Sequence, residues 1–151
     1  MLSRFERFIL DLTEIDLYWH RLANEVMKPY GRKGSQVIYF TKLSQLPNGA
    51  TAAELCALCG KDKADVSRDV AELEQAGFLY RDRSKGGYRA PVELTQAGRE
   101  LTRDIIARAE QAVGLVGQEL SEQDRTCFYR VLDQITQNLQ TLSEQGLLEK
   151  R

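Results

Sequence analysis

Three groups of residues in this sequence could do chemistry. The first is Cys56-Ala-Leu-Cys59, a Cys-x-x-Cys spacing that suits a zinc ion or thiol exchange. The second is basic: Lys61 and Lys63, then Arg68, then Arg81, Arg83, Lys85 and Arg89. Such a set could neutralise phosphates. The third is aromatic: Tyr18, Trp19 and His20, with Tyr39 and Phe40 further on.

Each group also has a plainer role. Structural zinc takes four ligands, and the chain offers only Cys56, Cys59, Cys127 and His20, widely scattered. No metal or other cofactor is expected. A buried thiol behaves as a small hydrophobe, the main reading for Cys56 and Cys59. Redox sensing is the alternative, and it needs a thiolate held by positive charge, for which Lys61 and Lys63 are near in sequence. Trp19 falls on an apolar seam and reads first as core, and His20 reads as a surface or hydrogen-bonded residue. An enzyme is not expected: there is one histidine, no glycine-rich phosphate loop, and no nucleophile–base pair close in sequence.

The bulk composition narrows the classes further. At 151 residues the chain is one domain's length. A net charge of −1 argues against indiscriminate coating of nucleic acid but permits a local basic patch. Three cysteines, an odd count, make a disulfide framework improbable. The apolar run Val37-Ile38-Tyr39-Phe40 is far too short to span a bilayer. The opening MLSRFERFILDLTEID has too short an apolar run for a signal-peptide core, so a cytoplasmic protein is expected.

The positioning elements follow from periodicity and punctuation. Phe5, Phe8, Leu12, Ile15, Trp19, Leu22 and Val26 alternate in steps of three and four, which predicts a long helix to Tyr30 with one packing seam. A shorter helix is expected over 35–46, closed by the turn signal Pro47-Asn48-Gly49. Thr51-Ala-Ala-Glu54 fits a capping box, and Gly60 ends the short helix that it opens. The next helix runs over 63–76 with Val66, Val70 and Leu73 inward. Phe78-Leu79-Tyr80 and Tyr88 to Leu94 read as the strands of a hairpin with a basic tip. Thr95 then caps a long helix to Glu119, and Ser121-Glu-Gln-Asp124 opens a last one carrying Phe128, Val131, Ile135, Leu139 and Leu142.

With Val66, Val70 and Leu73 inward, a turn of 100° per residue points Ala64, Arg68, Ala71 and Gln75 outward, with Ser67 at the flank. An arginine among small residues suits a major groove: the backbone can approach, and the guanidinium can reach guanine O6 and N7. Lys61 and Lys63 could meet phosphates beside the helix amides.

This order, with Pro29 and Gln36, the run TAAELCALCGKDKADVSRDVAELEQAGFLYR, then VELTQAGREL and LSEQD, resembles the MarR family of winged-helix transcriptional regulators over nearly the whole chain. The resemblance implies a mainly α fold with a small β-hairpin wing, one domain over 1–151. Its winged helix-turn-helix lobe would occupy 35–95, and 1–34 with 96–151 would form a helical dimerisation lobe. It further implies a homodimer on a pseudo-palindromic double-stranded DNA operator, released by a small aromatic or lipophilic effector. Lys61, Lys63, Ala64, Ser67 and Arg68 would contact DNA, with Arg81, Arg83, Lys85 and Arg89 along the wing; Tyr18, Trp19, His20 and Tyr39 would lie at the effector cleft. The sequence departs from the family pattern where an Asp-x-Arg usually braces the wing: Gly86-Gly87-Tyr88 stands there, with Arg89 shifted. Asp65, Asp69, Glu72 and Glu74 on the recognition helix predict modest nonspecific affinity. The competing class is a winged-helix module for protein–protein contact.

Overall fold

The computed structural model describes residues 3–85 and 89–147. Helix α1, Arg4–Met27, begins at a capping box in which Ser3 accepts from the Glu6 amide while Glu6 reaches back. Pro29 does not end the chain's helical course at once. Lys28–Tyr30 forms a single 3-10 turn, closed by Gly31 at φ 63°. Another 3-10 turn, Gly34–Gln36, leads into α2, Val37–Ser44, so the second helix proper starts two residues later than its periodicity suggests.

Helix α3, Ala52–Cys59, has the expected Thr51–Glu54 box and stops at Gly60, whose φ of 61° is a conformation most side chains resist. Helix α4, Lys63–Gln75, is capped by Asp62, whose carboxylate accepts from the Asp65 amide at 2.8 Å. Strands β1, Leu79–Arg81, and β2, Val92–Leu94, pair antiparallel with Leu79 opposite Leu94 and Arg81 opposite Val92. Ala50 adds a bridge to Val92 through bonds of 3.1 and 2.7 Å. The returning strand is shorter than expected because Pro91 lacks the N–H a ladder needs; Gly86, Gly87 and Tyr88 lie outside the described residues.

Helix α5, Gln96–Val116, starts under Thr95, which accepts from the Gly98 amide at 3.0 Å and donates to the Gly77 carbonyl at 2.6 Å. Gly98 is required there, since a Cβ would collide with the Phe78 carbonyl oxygen. The chain divides within α5 into two compact units, 1–109 and 110–151.

The first unit holds the core. Tyr39, Phe40, Leu55, Val66, Leu73, Val92 and Leu101 are essentially inaccessible, and Phe78 meets Phe40 edge to face at 5.9 Å. The helix-turn-helix and its hairpin are thus packed as one body, with the strands closing one side of the three short helices. The second unit carries α6, Glu122–Gln145, capped by Ser121 and Asp124, and none of its described residues is buried. Among the described residues no helix is long and apolar enough to cross a membrane.

Candidate nucleic-acid interface

The outward face of α4 is set by its inward one. Val66, Val70 and Leu73 are buried, which leaves Ala64, Ser67, Arg68, Ala71 and Gln75 exposed on the opposite side. The structure therefore brings Ala64, Ser67 and Arg68 together as the sequence suggests. Arg68 is not idle: its guanidinium pairs with the Asp65 carboxylate one turn earlier, both side chains about half exposed. Lys63, the first residue of α4, is exposed at the helix start.

Lys61 is placed differently from the expectation. Its side chain is 21% exposed, and its ammonium donates to Asp69 Oδ2 at 3.1 Å and to the Ser35 carbonyl at 2.9 Å. It also stands over the Tyr39 ring, 4.8 Å from the centroid. A lysine so committed braces the helix-turn-helix; the phosphate role does not fit it. The reason is Asp69, a buried carboxylate in the middle of α4 that needs a counter-charge.

Asp69 also accepts from Gln36 Nε2 at 3.2 Å and from the Tyr39 hydroxyl at 2.9 Å. Burial pushes its pKa up, but the hydrogen bonds from Tyr39, Gln36 and Lys61, with the Lys61 charge, outweigh that and hold it below the ordinary carboxylate value. Burial and the bond to Asp69 push the Tyr39 hydroxyl up, so it stays protonated and donating. No periodicity argument could have found this cluster, because Asp69 sits at a position of the inward face where only apolar residues are sought. The presence of an acid flanked by Val66 and Val70 was the available signal.

Along the wing, Arg81 is half-buried in β1, while Arg83 and Arg89 are exposed. Arg83 lies 3.9 Å from the Glu74 carboxylate of α4, which places the start of the wing beside the second half of that helix. The Lys85 side chain is not among those described.

Cys56 and Cys59 are half-buried and pack against the core. Burial pushes the Cys59 thiol up from its ordinary value, and Lys61 and Lys42 offset this only in part. That direction opposes the thiolate a redox sensor needs. Cys127 is exposed on α6, with Arg130 Nη2 3.7 Å from its sulfur. Among the described residues no three His, Cys, Asp or Glu side chains converge as a metal site.

The residues expected at an effector cleft do not gather. Tyr39 is a core residue with its hydroxyl taken, which corrects its assignment to a cleft. Tyr18 is exposed beneath Arg21, whose guanidinium carbon is 5.4 Å from the ring centroid. Trp19 is half-buried, and the exposed His20 donates from Nδ1 to the Asp16 carbonyl at 2.8 Å. A groove of about 410 Å³ lies elsewhere in the first unit, between the end of α2, the hairpin and the start of α5. Leu43, Leu46, Leu94 and Ile106 give it apolar walls, and Tyr80, Glu93, Arg99 and Arg103 give it polar ones. It was not legible beforehand because stretches of chain that lie far apart in sequence build it.

No protein-family profile matches the chain, and no curated protein matches it. Solved structures do, over nearly its whole length. A MarR transcriptional regulator from Methanosarcina mazei superposes with a TM-score of 0.84 at 19% identity, covering 93% of this chain and 94% of that one. MarR itself superposes with a TM-score of 0.83 at 19% identity, covering 97% and 99%. CouR from Rhodococcus jostii, bound to p-coumaroyl-CoA, superposes with a TM-score of 0.67 at 21% identity, covering 91% and 92%. The chain has the winged-helix fold of the MarR transcriptional regulators.

Proposed function

We propose that the chain is a dimeric, sequence-specific DNA-binding transcriptional regulator, acting as a repressor that a small molecule releases. The observation that carries this reading is the outward face of α4, where Arg68 stands among Ala64, Ser67 and Ala71 on a helix braced from behind. Small residues let the backbone approach base edges, and one guanidinium supplies a bidentate contact to guanine. Lys63, Arg81, Arg83, Lys85 and Arg89 would add phosphate contacts that position the helix without reading sequence. Lys61 drops out of that set. A DNA partner would place the protein in the cytoplasm.

The second copy is argued from unpartnered apolar surface. Leu12, Ile15 and Leu22 on α1, and Phe128, Val131, Leu139 and Leu142 on α6, are all exposed in the single chain. Two subunits would set two recognition helices about one DNA turn apart, on a pseudo-palindrome. An effector with higher affinity for a misaligned dimer shifts the population away from DNA. The groove beside α2 and α5 has the mixed lining of a small-molecule site. CouR, of the same fold, holds a CoA ester of an aromatic acid, which supports an aromatic or lipophilic ligand here.

The test is selection of bound sequences from random duplexes, then anisotropy on the winner across a salt series with wild type and Arg68→Ala. An inverted repeat bound by wild type and lost in the variant is the expected result. Losing a bidentate guanine contact costs about 1–3 kcal/mol per subunit. An absence of enrichment, with no salt-sensitive binding, would sink the DNA reading and favour protein–protein contact.

A further inference from the structure

Apolar packing behind α4 is not directional. Val66, Val70 and Leu73 would keep much of their burial if the helix rolled slightly on its bed. A roll of about 20° moves tips at a radius of ~5–6 Å by about 2 Å, enough to break a bidentate contact. Something with direction has to fix the angle.

We propose that Asp69, with Lys61 and Tyr39, is that device: a buried clamp that sets the rotation of α4 and hence the aim of Arg68, its neighbour in sequence. The inference rests on the DNA reading of α4 given above. The carboxylate takes bonds from Gln36 and Tyr39 at the start of α2 and from Lys61 in the turn between α3 and α4. Lys61 carries the tie on to the Ser35 carbonyl. Gln36 Nε2 also reaches Glu72 at 2.9 Å, one turn further along α4. A hydrogen bond weakens steeply once its donor–hydrogen–acceptor angle falls below about 120°, and donors from two separate segments converge on one residue. A core that needed only stability would be served as well by apolar groups of similar volume, since the desolvation cost of a buried ion pair offsets most of its attraction. The charges add what those groups cannot: a single allowed register.

The decisive variant is Tyr39→Phe/Lys61→Met/Asp69→Leu, which removes the clamp, leaves no orphaned charge and keeps the net charge unchanged. Its melting temperature should equal or exceed that of wild type. Affinity for random duplex, and its salt slope, should stay the same, because phosphate contacts are intact. The ratio of operator to random affinity should fall about tenfold, the scale of one lost base-pair contact. A merely structural cluster would leave that ratio untouched, and an unchanged ratio in the folded triple variant overturns the proposal. If the triple variant does not fold, Tyr39→Phe alone removes one donor and should lower the ratio by a smaller factor; no change there overturns it equally. Methyl NMR of Val66, Val70 and Leu73 gives a readout without DNA: one set of signals in wild type, broadened or multiple sets in the variant. Should wild type select no DNA sequence, the DNA reading fails while the methyl spectra still decide the clamp, and a single sharp set in the variant overturns it.

Discussion

Helices α4 and α6 have the same kind of sequence and opposite fates. Both are amphipathic and both are capped by a side chain that accepts from a first-turn amide. Among 13 residues, α4 buries Val66, Asp69, Val70 and Leu73. Among 24 residues, α6 buries none, and Phe128 and Leu139 on its apolar stripe remain 55% and 49% exposed. Helix α4 is completed by its own chain, down to directional bonds on a buried carboxylate. The last helix presents apolar surface that its own chain leaves in water. A period in the sequence says that a face will be covered, and only the fold says by what.

The comparison breaks most sharply at Asp69. Asp69→Ala leaves the Lys61 ammonium in a largely dry site without its counter-ion and should cost about 3 kcal/mol of unfolding free energy, measured by urea denaturation at neutral pH. A loss within experimental error of zero would mean that Lys61 simply swings into water. The same bonds set a pH dependence. The folded pKa of Asp69 lies below its ordinary value, so the unfolded state binds the proton more readily. The stabilisation is therefore fully present above the ordinary carboxylate range and is lost as pH falls through the folded pKa. Asp69→Asn should be less stable than wild type at neutral pH, and the gap should close in acid. A gap constant with pH would show that the carboxylate charge contributes nothing.

On α6 the expected effect concerns association. Phe128→Glu with Leu139→Glu places two charges on the exposed stripe, and the few residues that anchor an interface cost about 2 kcal/mol or more when truncated. Sedimentation should show wild type as a dimer at micromolar concentration and the variant as a monomer, with the far-ultraviolet helical signal retained. A wild type that sediments as a monomer would remove the second copy as the cover for α6.

The contrast also explains what was legible in the sequence. Local signals were read well: the Thr51–Glu54 and Ser121–Asp124 boxes, the stops at Gly60 and Gly77, and the inward face of α4 all appear as expected. These depend on neighbours three or four residues apart. Lys61 and Tyr39 were misjudged because their partner, Asp69, lies 8 and 30 residues away. Side-chain type alone makes a lysine near a helix start look like a phosphate ligand and a tyrosine near an aromatic run look like a cleft wall. The groove beside Arg99 and Arg103 escaped for the same reason, since its walls come from stretches around Leu43, Tyr80 and Leu94 to Ile106 that lie far apart in sequence. The outward position of Arg68 could be read because it depends on the face of a single helix.

The smallest effect expected is on the outward side of α4. Asp65 and Asp69 are one turn apart and each holds a cation, but the Asp65–Arg68 pair is half exposed, where such pairs contribute at most about 1 kcal/mol. Asp65→Asn should leave the melting temperature within about a degree or two, as for most surface changes. DNA affinity is the more sensitive readout. In the proposed complex the carboxylate lies near phosphates and repels them, so removing its charge should raise affinity for random duplex by about threefold, the worth of one charge pair ~7 Å apart in water. Operator affinity should rise less, because Asp65 also holds one edge of the Arg68 guanidinium and leaves the other free for guanine, and the asparagine grips it more weakly. The ratio of operator to random affinity therefore falls while both affinities rise. An Asp65→Asn variant that binds random duplex no better than wild type would place Asp65 away from the DNA, and with it the outward face from which Arg68 is argued to read.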